Sequence, residues 1–168
     1  MGPETLALAL GANFNAANQF NNDVSTEKNW NKVQRTNVVI ISSMNHAIKT
    51  NFPNLTLYFR WYNSGHNAIV TKFEFNQVTN IDGDRMVMSG IFHQQSDPQQ
   101  AKGSIEYNFS TEEFYKVNKR GTRTTPKMEA LKYPPADAAV VDRFIDYMTK
   151  YHNAVERYRN NVYGVCEK

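Results

Sequence analysis

Cysteine is all but missing from this chain: Cys166 stands alone among 168 residues. It cannot close an internal disulfide, so no disulfide framework holds the fold, and the redox compartment stays open. Long apolar runs are missing too. No stretch approaches the roughly 20 residues that a bilayer-crossing helix needs. The opening segment Thr5–Ala12 is apolar, but no Lys or Arg precedes it as a secretory signal would require. Leu6, Leu10, Phe14, Ala17 and Val24 recur near a helical period, so residues 1–24 are expected to form a helix, peripheral to the rest.

Glycine is sparse and scattered, eight residues that never cluster ahead of a helix. P-loop and dinucleotide motifs need such clusters, so cofactors of those kinds are not expected. His46, His66, His93 and His152 show neither HxH nor HxxxH spacing, and no metal site is expected. Ser64 and Ser89 each precede a glycine, yet neither lies in a G-x-S-x-G turn. The acid pairs Asp82/Asp84 and Glu112/Glu113 read as a hairpin turn and a first helical turn. No catalytic constellation stands out, and the reading leans away from an enzyme.

What is present is an ordinary globular composition, 40% hydrophobic and 21% charged, in a length that suits one domain over residues 1–168. The net charge of +3 lies wholly in the second half, where thirteen basic residues face ten acidic ones. Twenty asparagines and nine tyrosines fit an exported protein and a cytoplasmic one equally well.

Helical spacing of Trp30, Val33, Asn37, Ile40/Ile41, Met44 and Ile48 predicts a second helix, against the local β preference of Val38-Val-Ile-Ile41. From Leu55 the period changes to two. Leu55, Leu57, Phe59 and Trp61 alternate with polar residues, and the turn Asn63–His66 follows. A three-residue loop at Ser64–His66 pairs Trp61 with Ile69, Leu57 with Phe73 and Leu55 with Phe75. A two-residue loop at Asp82-Gly83 pairs Gln77 with Met88, Phe75 with Gly90 and Phe73 with Phe92. Both hairpins then share one apolar face. A fourth strand is expected around Ser104–Phe109, and residues 111–117 read as a short helix or a strand extension. A basic loop follows, and Pro134-Pro135 ends it. Asp137 then caps a last helix, whose stripe of Val141, Phe144, Met148, Tyr151, Val155, Tyr158 and Val162 steps by three and four up to a stop at Gly164.

The expected fold is therefore α+β: N-terminal helices, a four-stranded antiparallel meander, and a long C-terminal helix packed on the sheet. In layout it resembles cystatin-like or NTF2-like folds, an analogy that implies no activity.

Function is then sought on surfaces. The sheet face opposite the core carries Tyr58, Arg60, Tyr62, Lys72 and His93 among its residues, a mixture rich in the types enriched at protein interfaces. The segment from Lys116 to Lys132 holds Lys116, Lys119, Arg120, Arg123, Lys127 and Lys132 against Glu129 alone, and so can take an anion. The leading expectation is a non-catalytic interaction or assembly module that binds another protein through one of these surfaces. One alternative is a small-ligand carrier or minor enzyme with a pocket between sheet and C-terminal helix, near Trp61, Met88 and Tyr151. Another is a binder of nucleic acid or anionic lipid through residues 116–132. The C-terminal stripe also suits a homodimer seam.

Overall fold

A computed structural model describes residues 37–94 and 99–166. The helix expected over residues 1–24 and the start of the second one lie outside them. In chain order the elements are α1 (Asn37–Asn51), β1 (Thr56–Tyr62), β2 (Ala68–Asp82), β3 (Arg85–Gln94), β4 (Gln100–Asn108), β5 (Glu113–Val117), β6 (Arg123–Ala130) and α2 (Ala138–Cys166). They form two compact units, one spanning residues 52–143 and the other joining α1 to α2 from Phe144 onward. The architecture is α+β with an antiparallel sheet, and no described helix is long and apolar enough to cross a membrane.

The sheet corrects the expected four-stranded meander. Six strands pair in the order β1-β2-β3-β4-β5-β6 and close into a barrel. The first hairpin has the expected register: Leu57 faces Phe73, Trp61 faces Ile69, and the Phe75 amide donates to the Leu55 carbonyl. Asn63 and Asn67 close a three-residue loop in which His66 takes a positive φ of 60°, the usual shape for that loop length. The second hairpin turns one position later than expected, with Asp82 opposite Arg85 and Gly83 at positive φ. Bulges at Asn76 and Thr79 absorb the offset. Phe75 still meets Gly90 and Phe73 still meets Phe92, but Gln77 faces Ser89 rather than Met88.

The two further strands come from segments expected to be helix, extension or loop. At the end of β4, Asn108 Oδ1 accepts hydrogen bonds from the Ser110 and Thr111 amides, both 2.9 Å, which turns the chain back into β5. Glu113 is thus a strand residue and not part of a first helical turn. Asn118 repeats the device, its Oδ1 accepting from the Arg120 and Thr122 amides at 3.0 Å, and β6 follows inside the supposed basic loop. Side-chain hydrogen bonds to nearby amides are how Asn builds turns, and the second of these also uses Gly121 at a φ of 82°.

Aromatic rings fill the barrel. Phe59 lies 4.9 Å from Phe114, Tyr107 4.6 Å from Phe114, and Phe73 5.0 Å from Phe92. Leu57, Met86, Met88, Ile105 and Met128 are buried with them. Trp61 Nε1, on the same set of positions, donates to Thr71 Oγ1 at 2.9 Å.

In the helical unit, α1 buries Ile40, Ser43, Met44, Ala47 and Ile48, one face of a helix. The β-branched run is helical because its penalty is a few tenths of a kcal/mol per residue, less than burying that face returns. Asn51 Nδ2 joins the two helices, donating to the Ala47 carbonyl at 2.8 Å and to Tyr147 Oη at 3.0 Å. Along α2, Val141, Phe144, Met148, Tyr151 and Val155 are buried, as the stripe predicts. The helix runs through Gly164 to Cys166, so Gly164 is not its stop. At its start Asp137 Oδ1 accepts from the Ala139 amide at 3.0 Å and the Val140 amide at 3.4 Å. Asp137→Ala is expected to lower stability by about 1 kcal/mol in urea unfolding, whereas Asp137→Asn should change it little.

Candidate binding surface at the barrel seam

The first group of expected surface residues shares the outer face of β1, β2 and β3. Tyr58, Lys72 and His93 are successive partners across the three strands, and Arg60 and Tyr62 lie further along β1 on the same face. Val87, on the same face of β3, is buried, whereas Tyr62 is 49% exposed. Two of these side chains are engaged by one carboxylate. Lys72 Nζ stands 3.3 Å from Glu74 Oε1, and His93 Nε2 is 3.4 Å from Glu74 Oε2. The hydrogen bond from Lys72 outweighs the cost of burial and, with that from His93, holds the Glu74 carboxyl below its ordinary range.

Arg60 reaches across the seam where the barrel closes. Its Nη2 donates to Glu129 Oε2 at 2.8 Å, and Nη1 approaches Tyr133 Oη at 3.4 Å. The backbone seam here is short. Phe59 pairs with Ala130, Arg60 pairs with Glu129, and the Leu131 amide donates to the Tyr58 carbonyl at 2.8 Å. Tyr133, like Tyr62, is 49% exposed. Sequence reasoning missed Tyr133 and Glu129 because nothing local ties the end of β6 to β1. The Arg60 group and the end of the basic segment, read as two separate surfaces, meet here.

Three of the six basic residues of this segment, Arg123, Lys127 and Lys132, pair with carboxylates from elsewhere in the fold. Arg123 Nε donates to Glu106 Oε2 at 3.0 Å, and its guanidinium lies 4.0 Å from the Tyr115 ring centroid. Lys127 pairs with Glu113 at 2.9 Å, and Lys132 with Asp142 at 3.0 Å. Lys116 Nζ sits 5.4 Å from the centre of the Phe92 ring. Lys119 and Arg120, at the tip of the β5–β6 turn, have no carboxylate within ion-pair distance among the described residues.

The histidines and serines considered above lie on several different elements. His46 lies on α1, His66 in the β1–β2 turn and His152 on α2. Ser64 belongs to the turn, and Ser89 Oγ donates to the Gln77 carbonyl at 3.4 Å. Among the described residues no three of His, Cys, Asp and Glu gather as metal ligands would. Comparison of the chain with protein-family models, curated proteins and solved structures yields no match.

Proposed function

We propose that this chain is a non-catalytic protein-binding module whose contact surface is the outer face of the β1–β6 seam. The observation that carries the reading is the pair of half-exposed rings, Tyr62 and Tyr133, around an Arg60 guanidinium already fixed by Glu129. Tyrosine and arginine are the types that dominate interface energetics. A guanidinium held in place by a neighbour loses little further freedom when a partner docks. Tyr58, Lys72 and His93 extend the same face toward β3. The reading as a nucleic-acid or anionic-surface binder is the weaker one, since Arg123, Lys127 and Lys132 are already paired. Lys116, Lys119 and Arg120 are left to contact phosphates, and affinity of that kind grows with the number of phosphates neutralised.

The test is affinity capture from native cells with identification of what is retained. The wild-type chain is expected to hold at least one protein that the Tyr62→Ala/Tyr133→Ala double variant holds at least about tenfold less well. A Lys119→Ala/Arg120→Ala variant serves as the control and should retain it. Identical captured sets from all three chains would dispose of the seam as a binding surface.

A further inference from the structure

Away from the seam, the outer face over β2, β3 and β4 carries a groove of about 570 Å³. Its cause is the choice of small residues on both sides of the sheet at one level. Gly90 and Gly103 stand directly opposite each other. A Cβ on Gly90 would come within 2.5 Å of the Phe73 ring, and one on Gly103 within 2.5 Å of the Phe92 ring. The inner face thus needs glycine at both places so that the rings can lie against the backbone. The adjacent outer positions are Ser89 and Ser104, also opposite each other. With glycine inside and serine outside the sheet is thin, and its outer surface is depressed.

Beside the serines, Ile91 pairs with Glu74 on one side and Lys102 on the other, so the backbones of the two charged residues stand about 10 Å apart with Ile91 between them. They are not equivalent. Glu74 is already engaged by Lys72 and His93. Lys102 is exposed, and among the described residues no carboxylate lies within ion-pair distance of it. The uncommitted charge of the groove is therefore positive. Its uncommitted apolar surface comes from the half-buried Ile91. The volume falls in the range of small-molecule sites, about 300–1,000 Å³.

We propose that this groove binds a small organic carboxylate, its anionic end at Lys102 and the Ser104 hydroxyl and its hydrocarbon part over Ile91. The apolar floor sets such a ligand apart from an inorganic anion, and the engagement of Glu74 sets it apart from an amine. This inference stands independently of the seam, because the two sites share no residue and their tests read different signals.

Hexanoate, hexylamine and inorganic phosphate, each titrated into the ¹⁵N-labelled chain and followed by amide NMR, provide the test. Hexanoate is expected to shift the amides of Ser89–Ile91 and Lys102–Ser104 saturably, and phosphate and hexylamine much more weakly. Lys102→Gln should weaken hexanoate binding at least about tenfold, as loss of a charged hydrogen-bond donor does. Ile91→Ala should weaken hexanoate while leaving acetate unchanged. Spectra of both variants that overlay the wild type outside the groove show that the fold survives. Hexylamine or phosphate binding as tightly as hexanoate, a Lys102→Gln variant that binds hexanoate unchanged, or no saturable shift at these amides would each overturn the proposal.

Discussion

Replacing Arg85 and Arg123 together with alanine lowers stability by about 3–5 kcal/mol, because it strands a buried carboxylate. Glu106 on β4 is 1% exposed, yet it lies on the outer side of the sheet between Val87 and Tyr115. Its burial comes from what surrounds it. Arg85 Nε donates to Oε1, Arg123 donates to Oε2, and Arg85 also reaches the Gly121 carbonyl in the β5–β6 turn. The two guanidinium groups, 29% and 42% exposed, can turn to water if the carboxylate is removed. In the double arginine variant the carboxylate instead keeps its charge and loses both of its cations. Glu106→Gln is therefore expected to cost less, about 1–3 kcal/mol. Urea unfolding of the three chains gives the comparison, and a Glu106→Gln loss exceeding that of the double arginine variant would refute it.

The same cluster sets a pH dependence. Burial pushes the Glu106 carboxyl up, but the hydrogen bonds and charges of Arg85 and Arg123 together prevail and hold it below its ordinary value. A carboxyl lowered in the folded state stabilises the fold above its unfolded pKa, about 4.3 for Glu, and that contribution is lost as pH falls through the folded value. Wild-type stability should accordingly decline more steeply below about pH 4 than that of Glu106→Gln.

Gly90→Ala is expected to cost at least about 3 kcal/mol, the upper end of what overpacking usually does. The new methyl group would stand 2.3 Å from the Glu74 carbonyl oxygen and 2.5 Å from the Phe73 ring, and the first of these is backbone that cannot swing aside. At Gly103 the obstacle is the Phe92 ring alone, so Gly103→Ala should cost less. At Gly83 there is open space and only a φ of +55° to accommodate, about 1–2 kcal/mol for a residue with a side chain. Thermal or urea unfolding of the three variants should rank Gly90 clearly first. A Gly90→Ala variant as stable as Gly83→Ala would mean that the rings do not lie where described.

Much of this architecture could be read from residues, and the reason differs by element. The β1–β2 register was legible because loop parity decides which face every side chain takes, and only an odd loop keeps Leu57 with Phe73. The β2–β3 register was legible near Phe73 and Phe75 but not near the turn. Bulges at Asn76 and Thr79 leave no hydrophobic signature, since both are exposed polar residues in a polar stretch. The α2 stripe declared itself through strict spacing. By contrast β6, Arg-Thr-Thr-Pro-Lys-Met-Glu-Ala, offers only Met128 as a large apolar residue and carries a proline, so it looks like a loop. Its strand character comes from its neighbours. The candidate surface was legible in part for the same reason: Arg60 and Tyr62 sit on a strand with clear alternation, whereas Tyr133 and Glu129 reach them only through closure of the barrel. Glu106 carried no local sign that two arginines from other strands would converge on it.

That closure has a mechanical side. Five of the six ladders join strands adjacent in sequence, while the sixth brings together residues some seventy positions apart on only two paired positions. The ring has one small latch, and local opening concentrates where rungs are fewest. Were a partner seated across Tyr62 and Tyr133, it would clamp the two lips of that latch together, and part of its binding energy would become resistance of the whole ring to unrolling.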